Sequence, residues 1–217
     1  MPPSGFSESN EMEQRVSAPA TGSLPLWPWL TVLALLGALL IWRFGGMARD
    51  GASGTGAVHP AVGKSVTELS LAPLTGDPPP ASLASLDGKV TLINFWGPWC
   101  GPCNLEFPHL LELVEHFRGN GDFQFISVSS NYDPRDTQGL AASTEEFLKR
   151  KNATIGVYSD PGGKTQMALV QTGQIEAFGY PATVLVDRQR VIRGLWIGYQ
   201  PGDERDVRRA VQAVLSP

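Results

Sequence analysis

The only two cysteines of the chain, Cys100 and Cys103, stand three residues apart in the stretch NFWGPWCGPCNLEFP. Two thiols this close in sequence could do three kinds of chemistry. They could supply half of a zinc site, form a passive structural disulfide, or act as a redox dithiol. A disulfide-rich scaffold is excluded, because it would need more cysteines than the chain has.

A zinc site would need two further nitrogen or sulfur ligands, and the histidines are His59, His109 and His116. On a helical wheel His109 lies about 120° and His116 about 140° from Cys103, so neither points towards the thiols. A passive disulfide would close so small a loop that it removes little chain entropy. The local sequence therefore favours the redox dithiol.

The residues around the cysteines predict a strand followed by a helix. A β-rich run ends near Trp96, and a helix is expected to begin around Cys100 and to continue through Val114. Free backbone amides and the helix dipole would stabilise a thiolate at Cys100, whereas Cys103 lies one turn inside. We therefore expect Cys100 to attack a partner disulfide and Cys103 to resolve the mixed disulfide. Pro102 suits the first turn, where no amide donor is needed.

A proton acceptor is needed when Cys103 becomes the attacking thiolate. On the helical wheel Glu106 lies about 60° from Cys103, at the edge of the buried face. A partly buried carboxylate has a raised pKa and could serve as a base near neutral pH. Glu106 could equally be a simple partner of the helix dipole, and the wheel alone leaves both interpretations open.

Hydrophobic periodicity predicts an α/β sandwich with a mixed sheet in the C-terminal part of the chain. The predicted strands cover residues 89–96, 122–130, 182–187 and 190–198, and the last two form a hairpin. Helical patterns follow the cysteines, run over 144–151 from a capping Thr144, and occupy the C-terminus from Asp203 and Glu204 to Val214.

The N-terminal part divides by composition into three segments. Residues 1–23 are polar and are expected to be disordered, and residues 45–62 read as a flexible linker that precedes a domain at 63–217. Between them, residues 24–44 contain 19 uncharged residues from Leu24 to Trp42. A transmembrane helix needs roughly 20 apolar residues, so this segment is predicted to be an uncleaved anchor. A buried helix and a cleaved signal peptide are the alternatives.

Charge does not decide the orientation of this anchor or suggest a nucleic-acid partner. Arg15 precedes the uncharged run that ends at Trp42, and Arg43 and Arg49 follow that run, a weak bias that leans against export of the C-terminal part. The net charge is −4, and the sequence shows no stripe of basic residues, so no nucleic acid is expected to bind.

The stretch FWGPWCGPCNLEFP resembles the motif FWAxWCxPCxxExP of membrane-anchored TlpA/ResA/DsbE-type thiol–disulfide oxidoreductases, within the thioredoxin superfamily. The later stretch GYPATVLVDRQRVIRGLWIGY resembles the strand pair of that family with its cis-proline loop. The resemblance covers about residues 63–217. It implies a thioredoxin-like sandwich, with a central mixed β-sheet flanked by helices, that needs no cofactor.

The resemblance assigns roles residue by residue. Cys100 is the nucleophile and Cys103 the resolving thiol, and together they form the redox disulfide. Pro181 matches the cis-proline beside the CxxC turn, and the backbone of Tyr180 would pair with an extended substrate segment. Trp99 matches an aromatic residue leading into the motif and joins Tyr180 and Pro181 as a substrate-binding residue.

Two departures from plain thioredoxin sharpen these expectations. Thioredoxin has a buried Asp six residues before its first cysteine, where this chain has Asn94, and an amide cannot act as a base. Glu106 matches the acidic residue that the subgroup carries three positions after the second cysteine, and it becomes the preferred proton acceptor. Tyr180 stands where a smaller or β-branched residue is more usual, and it could narrow the range of partners.

The resemblance also suggests a cellular role. Anchored members place the catalytic domain on the exported side and reduce disulfides such as those of apocytochrome c or copper-site proteins, with electrons from a membrane thiol carrier. The CGPC sequence favours a reductant, and an oxidant or isomerase is the alternative. A peroxiredoxin-type peroxidase is disfavoured by Gly97, which stands where a Thr is needed, and a copper chaperone by the poor placement of His109.

Overall fold

The computed structural model describes residues 32, 34–36 and 56–216. The chain separates into two units, Met1–Arg49 and Asp50–Pro217, and the described residues of the first are four helical positions. The predicted disordered segment 1–23 lies outside the described residues, and so does the predicted anchor 24–44 apart from those four. Among the residues described, no helix has the length and apolarity needed to cross a membrane.

A seven-stranded mixed sheet forms the centre of residues 56–216. Its strands are β1 (Ser70–Thr75), β2 (Ala81–Ser82), β3 (Val90–Trp96), β4 (Phe123–Ser129), β5 (Val157–Ser159), β6 (Ala182–Val186) and β7 (Ile192–Ile197). They lie in the order β2-β1-β5-β4-β3-β6-β7. The pairs β3–β4 and β4–β5 are parallel and the others antiparallel. The four predicted strands and the hairpin are confirmed, whereas β1, β2 and β5 were not predicted.

Four helices accompany the sheet within the same described range. They are α1 (Gly101–Phe117), α2 (Leu140–Arg150), α3 (Lys164–Gly173) and α4 (Asp203–Leu215). The predictions of α1, α2 and α4 are confirmed, and α3 was not predicted. Thr144 does not cap α2, because the helix begins four residues earlier with Gly139 as its N-cap. Thr144 is instead buried, and its hydroxyl shares a 2.7 Å hydrogen bond with the Ser129 hydroxyl of β4.

Strand β3 lies at the centre of the core, because all seven of its residues are buried. Its side chains alternate between the two faces of the sheet. One face packs on α1 and α4 through Val90, Leu92, Leu110, Leu113, Val207 and Val211. On the other face, Ile93 and Phe95 form a core cluster with Ile126 and Val128 of the adjacent strand β4 and with Leu169 of α3. The strand that leads into the cysteine turn is therefore held from both sides.

Three aromatic rings support the cysteine turn from beneath. The ring centroid of Trp96 lies 5.0 Å from that of Phe107 on α1 and 4.5 Å from that of Phe147 on α2. The Trp96 indole also donates a 2.8 Å hydrogen bond to the Ser127 hydroxyl of β4. Both cysteines belong to this buried cluster. Aromatic packing thus anchors the end of β3 and the first turn of α1 as one unit.

The packed domain begins earlier than residue 63, the start predicted from the sequence. Residues 56–62 were assigned to the flexible linker, yet Gly56 and Ala61 are buried. A Cβ atom added at Gly56 would lie 2.3 Å from the Trp196 ring of β7. The small residues that suggested a linker are therefore small here because they pack closely against the sheet, and composition alone does not distinguish the two cases.

Candidate active site

The turn between β3 and α1 places Cys100 at the N-cap of α1. The backbone N–H of Cys103 donates to the Cys100 sulfur over 3.2 Å, and the N–H of Asn104 donates to the Cys100 carbonyl over 3.2 Å. Helix N-termini offer unpaired N–H groups that stabilise negative charge. The predicted position of Cys100 at the start of the helix is confirmed, and its sulfur receives one of these donors.

Cys100 and Cys103 are joined as a disulfide with their Cα atoms 5.3 Å apart. Both residues are buried, with exposed fractions of 3% for Cys100 and 1% for Cys103. Although Cys103 lies one turn further into the helix, the two residues thus differ little in exposure in the disulfide form. The structure corresponds to the oxidised end of a dithiol–disulfide cycle.

A polar trio lies behind the cysteine turn and consists of Glu106, Asn94 and Thr183. Asn94 of β3 and Thr183 of β6 are cross-strand neighbours, and both are buried. The Asn94 amide donates to Glu106 Oε2 over 3.0 Å, and the Thr183 hydroxyl donates to Glu106 Oε1 over 3.1 Å. Asn94 also donates to the Thr183 hydroxyl over 3.0 Å. The carboxyl group is thus held in one orientation by two strands.

The environment of Glu106 raises its pKa to about 7, because burial penalises the carboxylate. The hydrogen bonds from Asn94 and Thr183 act in the opposite direction but do not outweigh burial, and the negative charge of Asp203 on α4 adds to the rise. A carboxyl group with this pKa can take up or release a proton at neutral pH. Glu106 is therefore a group of the α1 helix whose proton affinity lies in the neutral range.

An aromatic groove of about 430 Å³ opens beside Cys100. No charged side chain lines it; the lining residues are Trp99, Cys100, Gly101, Pro102, Tyr132, Phe178 and Tyr180. The ring of Trp99 meets Tyr132 and Tyr180 edge-on, with centroid distances of 5.3 Å and 5.4 Å. This arrangement offers apolar contact area directly next to the reacting sulfur.

The predicted substrate-binding residues occupy two layers of this region. Trp99 and Tyr180 line the groove, whereas Pro181 is buried behind it and is absent from the lining. The Tyr180–Pro181 peptide bond is cis, the isomer that the resemblance predicts. The Pro181 carbonyl accepts a 2.7 Å hydrogen bond from the Gly198 N–H at the end of β7, so its own oxygen is occupied.

Sequence reasoning missed four residues of the site, namely Ser130, Tyr132, Gln166 and Thr183. Strand alternation could have found Thr183, because a paired β3 and β6 would place it on the same face as Asn94. Tyr132 is 84% exposed, and a single aromatic residue in a loop belongs to no hydrophobic periodicity that would predict its position. Ser130 accepts a hydrogen bond from the Trp99 indole at its carbonyl, and Gln166 accepts one from the Tyr180 hydroxyl. These contacts are tertiary, so no local signal identifies either residue.

Metal chemistry has little support from the described part of the chain. His109, which the copper-chaperone hypothesis would need, lies beside Tyr199 with the ring centroids 6.3 Å apart. Within residues 32, 34–36 and 56–216, no group of three or more His, Cys, Asp or Glu side chains is arranged to hold a metal ion.

The fold and the site together define a thioredoxin-like protein with a CxxC dithiol at the head of a helix. Residues 61–214 match the family described as Redoxin, and the chain belongs to that family. The predicted resemblance to thioredoxin-like oxidoreductases is thereby confirmed at the level of the family.

Named relatives agree with this assignment. The thiol:disulfide interchange protein HelX of Rhodobacter capsulatus is 30% identical over 116 residues, which make up 54% of this chain and 60% of that protein. The thiol-disulfide oxidoreductase ResA of Oceanobacillus iheyensis is 27% identical over 84 residues, 39% of this chain and 40% of that protein. The chain thus spans less than two thirds of each of these relatives.

A solved structure supports the fold. The thiol:disulfide interchange protein of the thioredoxin family from Chlorobium tepidum superimposes with a TM-score of 0.52 and 22% identity. The match covers 69% of this chain and 97% of that one.

Proposed function

We propose that this chain is a thiol–disulfide oxidoreductase that reduces disulfides of exported proteins through Cys100 and Cys103. The observation that carries the proposal is the disulfide at the N-terminus of α1, with the Cys103 N–H directed at the Cys100 sulfur over 3.2 Å. That donor and the helix dipole favour a thiolate at Cys100 in the reduced form. A thiolate is the species that attacks a disulfide.

The cycle starts from the reduced pair. The Cys100 thiolate attacks one sulfur of the substrate disulfide and forms a mixed disulfide, while the other substrate sulfur leaves as a thiolate. Cys103 then loses its proton and attacks the Cys100 sulfur. The second substrate sulfur leaves, and two electrons have passed to the substrate. The Cys100–Cys103 disulfide remains, as in the structure.

Glu106 is the proposed acceptor of the Cys103 proton. It lies one turn further along α1, and its pKa of about 7 is suited to exchange with a thiol near neutral pH. The two donors, Asn94 and Thr183, stabilise the carboxylate before transfer and hold its orientation. An amide at position 94 cannot take this role itself.

The proposal includes a membrane anchor at 24–44 with the catalytic domain on the exported side. The uncharged run from Leu24 to Trp42 and the resemblance to anchored oxidoreductases support it. The proposed substrates are disulfide-bearing proteins such as apocytochrome c or copper-site proteins, and a membrane thiol carrier would restore the dithiol. The relative HelX, a thiol:disulfide interchange protein, agrees with this class of reaction.

Two cysteine variants test the function. Cys100→Ser is expected to abolish reduction of insulin disulfides, because the attacking sulfur is lost. Cys103→Ser is expected to accumulate mixed disulfides on Cys100, which can be isolated on non-reducing gels, because nothing resolves them. Normal turnover by Cys103→Ser would refute the assigned roles.

The direction of electron flow is tested separately by the reduction potential of the pair. A value of about −270 mV suits a reductant and one of about −120 mV an oxidant, a difference of about 7 kcal/mol for two electrons.

A peroxidase remains the weaker hypothesis. A Cβ atom at Gly97 would lie 2.4 Å from the Trp99 indole nitrogen, so the Thr that a peroxidase needs there does not fit.

A further inference from the structure

Gln166 is a buried amide near the start of α3, with an exposed fraction of 3%. Its Nε2 group donates to the Ser130 hydroxyl over 3.0 Å, and its Oε1 atom accepts a 2.7 Å hydrogen bond from the Tyr180 hydroxyl. A carboxamide can donate and accept at the same time, which an aliphatic side chain of similar size cannot. Gln166 thus joins the end of β4 to the loop before β6.

Ser130, the residue that Gln166 contacts, also forms a hydrogen bond with Trp99 of the groove lining. The Trp99 indole donates a 3.0 Å hydrogen bond to the Ser130 carbonyl. Trp99 and Tyr180, which are neighbours in the lining of the groove, are therefore connected through Ser130 and Gln166. The two rings meet edge-on with their centroids 5.4 Å apart, and each donates a hydrogen bond to a residue outside the groove lining.

Gln166 is itself held firmly in place. The Asp160 carboxylate accepts the backbone N–H of Thr165 over 3.1 Å and that of Gln166 over 2.9 Å. Asp160 is buried, with an exposed fraction of 2%. The first turn of α3 is consequently held against the residue that follows β5, and this fixes the backbone from which the Gln166 side chain extends.

We infer that Gln166 is a positioning residue that sets the relative position of the Trp99 and Tyr180 rings in the groove lining, and thereby the affinity for an apolar side chain next to the reacting cysteine of a substrate. The inference rests on the proposed function. The groove contains the Cys100 residue that a substrate must reach, and none of its lining residues is charged. An aliphatic or aromatic side chain on an extended segment is the occupant whose chemistry matches such a lining.

The test uses the full-length chain and a pair of disulfide peptides that carry either Leu or Asp beside the reacting cysteine. Gln166→Leu removes both hydrogen bonds at similar volume. It is expected to raise KM for the Leu peptide about 10-fold with kcat within about twofold, and to reduce the preference for Leu over Asp by a similar factor. Tyr180→Phe removes one hydrogen bond and keeps the ring, so KM for the Leu peptide is expected to rise about fivefold.

The matched control is Gln171→Leu, the same substitution at an exposed position of α3. It is expected to leave KM unchanged. Reduction of the Cys100–Cys103 disulfide by dithiothreitol, which carries no side chain to occupy the groove, is expected to be the same in Gln166→Leu and Gln171→Leu. An unchanged KM and Leu preference in Gln166→Leu would overturn the inference. If that variant does not fold, the same result in Tyr180→Phe would do so.

A readout without catalysis separates this inference from the function. Exchange of the Trp99 indole proton with solvent, followed by NMR, is expected to quicken in Gln166→Leu and not in Gln171→Leu. If the wild-type chain reduces neither peptide, the proposed function fails, and the exchange rate still decides whether Gln166 holds the groove. Equal exchange rates in Gln166→Leu and the wild type would overturn its positioning role.

Discussion

At the scale of single residues, Glu106 is shaped by opposing effects. Burial raises its pKa, and the hydrogen bonds from Asn94 and Thr183 lower it, and burial prevails so that the pKa lies at about 7. Both donors are buried on neighbouring strands and cannot turn away without losing their own partners. The carboxyl group is therefore preorganised for proton exchange at neutral pH.

The Glu106→Gln variant tests this role through the pH dependence of mixed-disulfide release. Only the carboxylate can accept the Cys103 proton, so in the wild-type chain the release rate is expected to rise with pH up to about 7 and then to level off. The variant should lack that inflection and release more slowly, by roughly 10²-fold. Rapid-quench trapping measures formation and release separately, and an equal slowing of both steps would contradict a proton-transfer role.

The free energy of unfolding of the oxidised chain provides a control that does not depend on catalysis. Between pH 4.5, the ordinary pKa of a glutamate, and about 7, the unfolded chain loses the Glu106 proton while the folded chain keeps it. The unfolded state is then favoured, so stability falls as pH rises through this window, by about 3 kcal/mol in all, and is level above it. The free energy of unfolding of Glu106→Gln, measured by urea titration, should lack this pH dependence. If it changes with pH as in the wild type, the pKa of Glu106 is not raised to about 7.

At the scale of elements, the predictable parts are those whose signal is local. Strand β3 is a continuous apolar run, and α1 follows it with a regular helical period, so Cys100 could be placed at the helix start from sequence alone. The cis Tyr180–Pro181 bond came only from resemblance.

Elements that depend on distant partners could not be predicted. Strand β1 contains Pro73 and has an irregular register with β5, which is only three residues long. Neither strand shows a regular alternation of apolar and polar residues from which it could be predicted. Helix α3 starts after Gly162 and Gly163, two residues that normally indicate a turn, and its anchor is the buried Asp160. The Gln166 network was hidden for the same reason.

The turn between β3 and α1 gives an element-scale prediction. Gly97→Ala is expected to destabilise the chain by about 1–3 kcal/mol, because its Cβ atom would lie 2.4 Å from the Trp99 indole nitrogen and 2.7 Å from the Ser130 carbonyl oxygen. Gly101→Ala is the matched control, since nothing lies within 4 Å of a Cβ atom there. Urea denaturation compares the two variants, and equal midpoints would show that the close approach at Gly97 relaxes without cost.

At the scale of the whole molecule, the site draws on segments far apart in sequence. The dithiol comes from the β3–α1 turn, the donors of Glu106 from β3 and β6, and the groove from loops near Tyr132 and Tyr180. Such a site exists only when the sheet is complete. The residues that pack against β7, the edge strand beside β6, therefore matter to the site although they do not line the groove.

Residues 56–62 are the clearest case at that edge. Gly63 and Lys64 pair with Ile192 of β7, and the preceding turn covers the Trp196 ring. A fragment of residues 63–217 is expected to be less stable than one of residues 56–217 by about 2 kcal/mol, because it exposes part of that ring to water. Urea denaturation with Trp fluorescence measures the difference.

A point substitution in the longer fragment separates this packing from a general effect of length. Gly56→Ala is expected to lower the unfolding midpoint, because the added Cβ atom meets the Trp196 ring at 2.3 Å. Val58→Ala in the same turn is the control, and its side chain is 74% exposed, so it should change the midpoint little. If both fragments and both variants unfold at the same urea concentration, residues 56–62 behave as the flexible linker that their composition suggested.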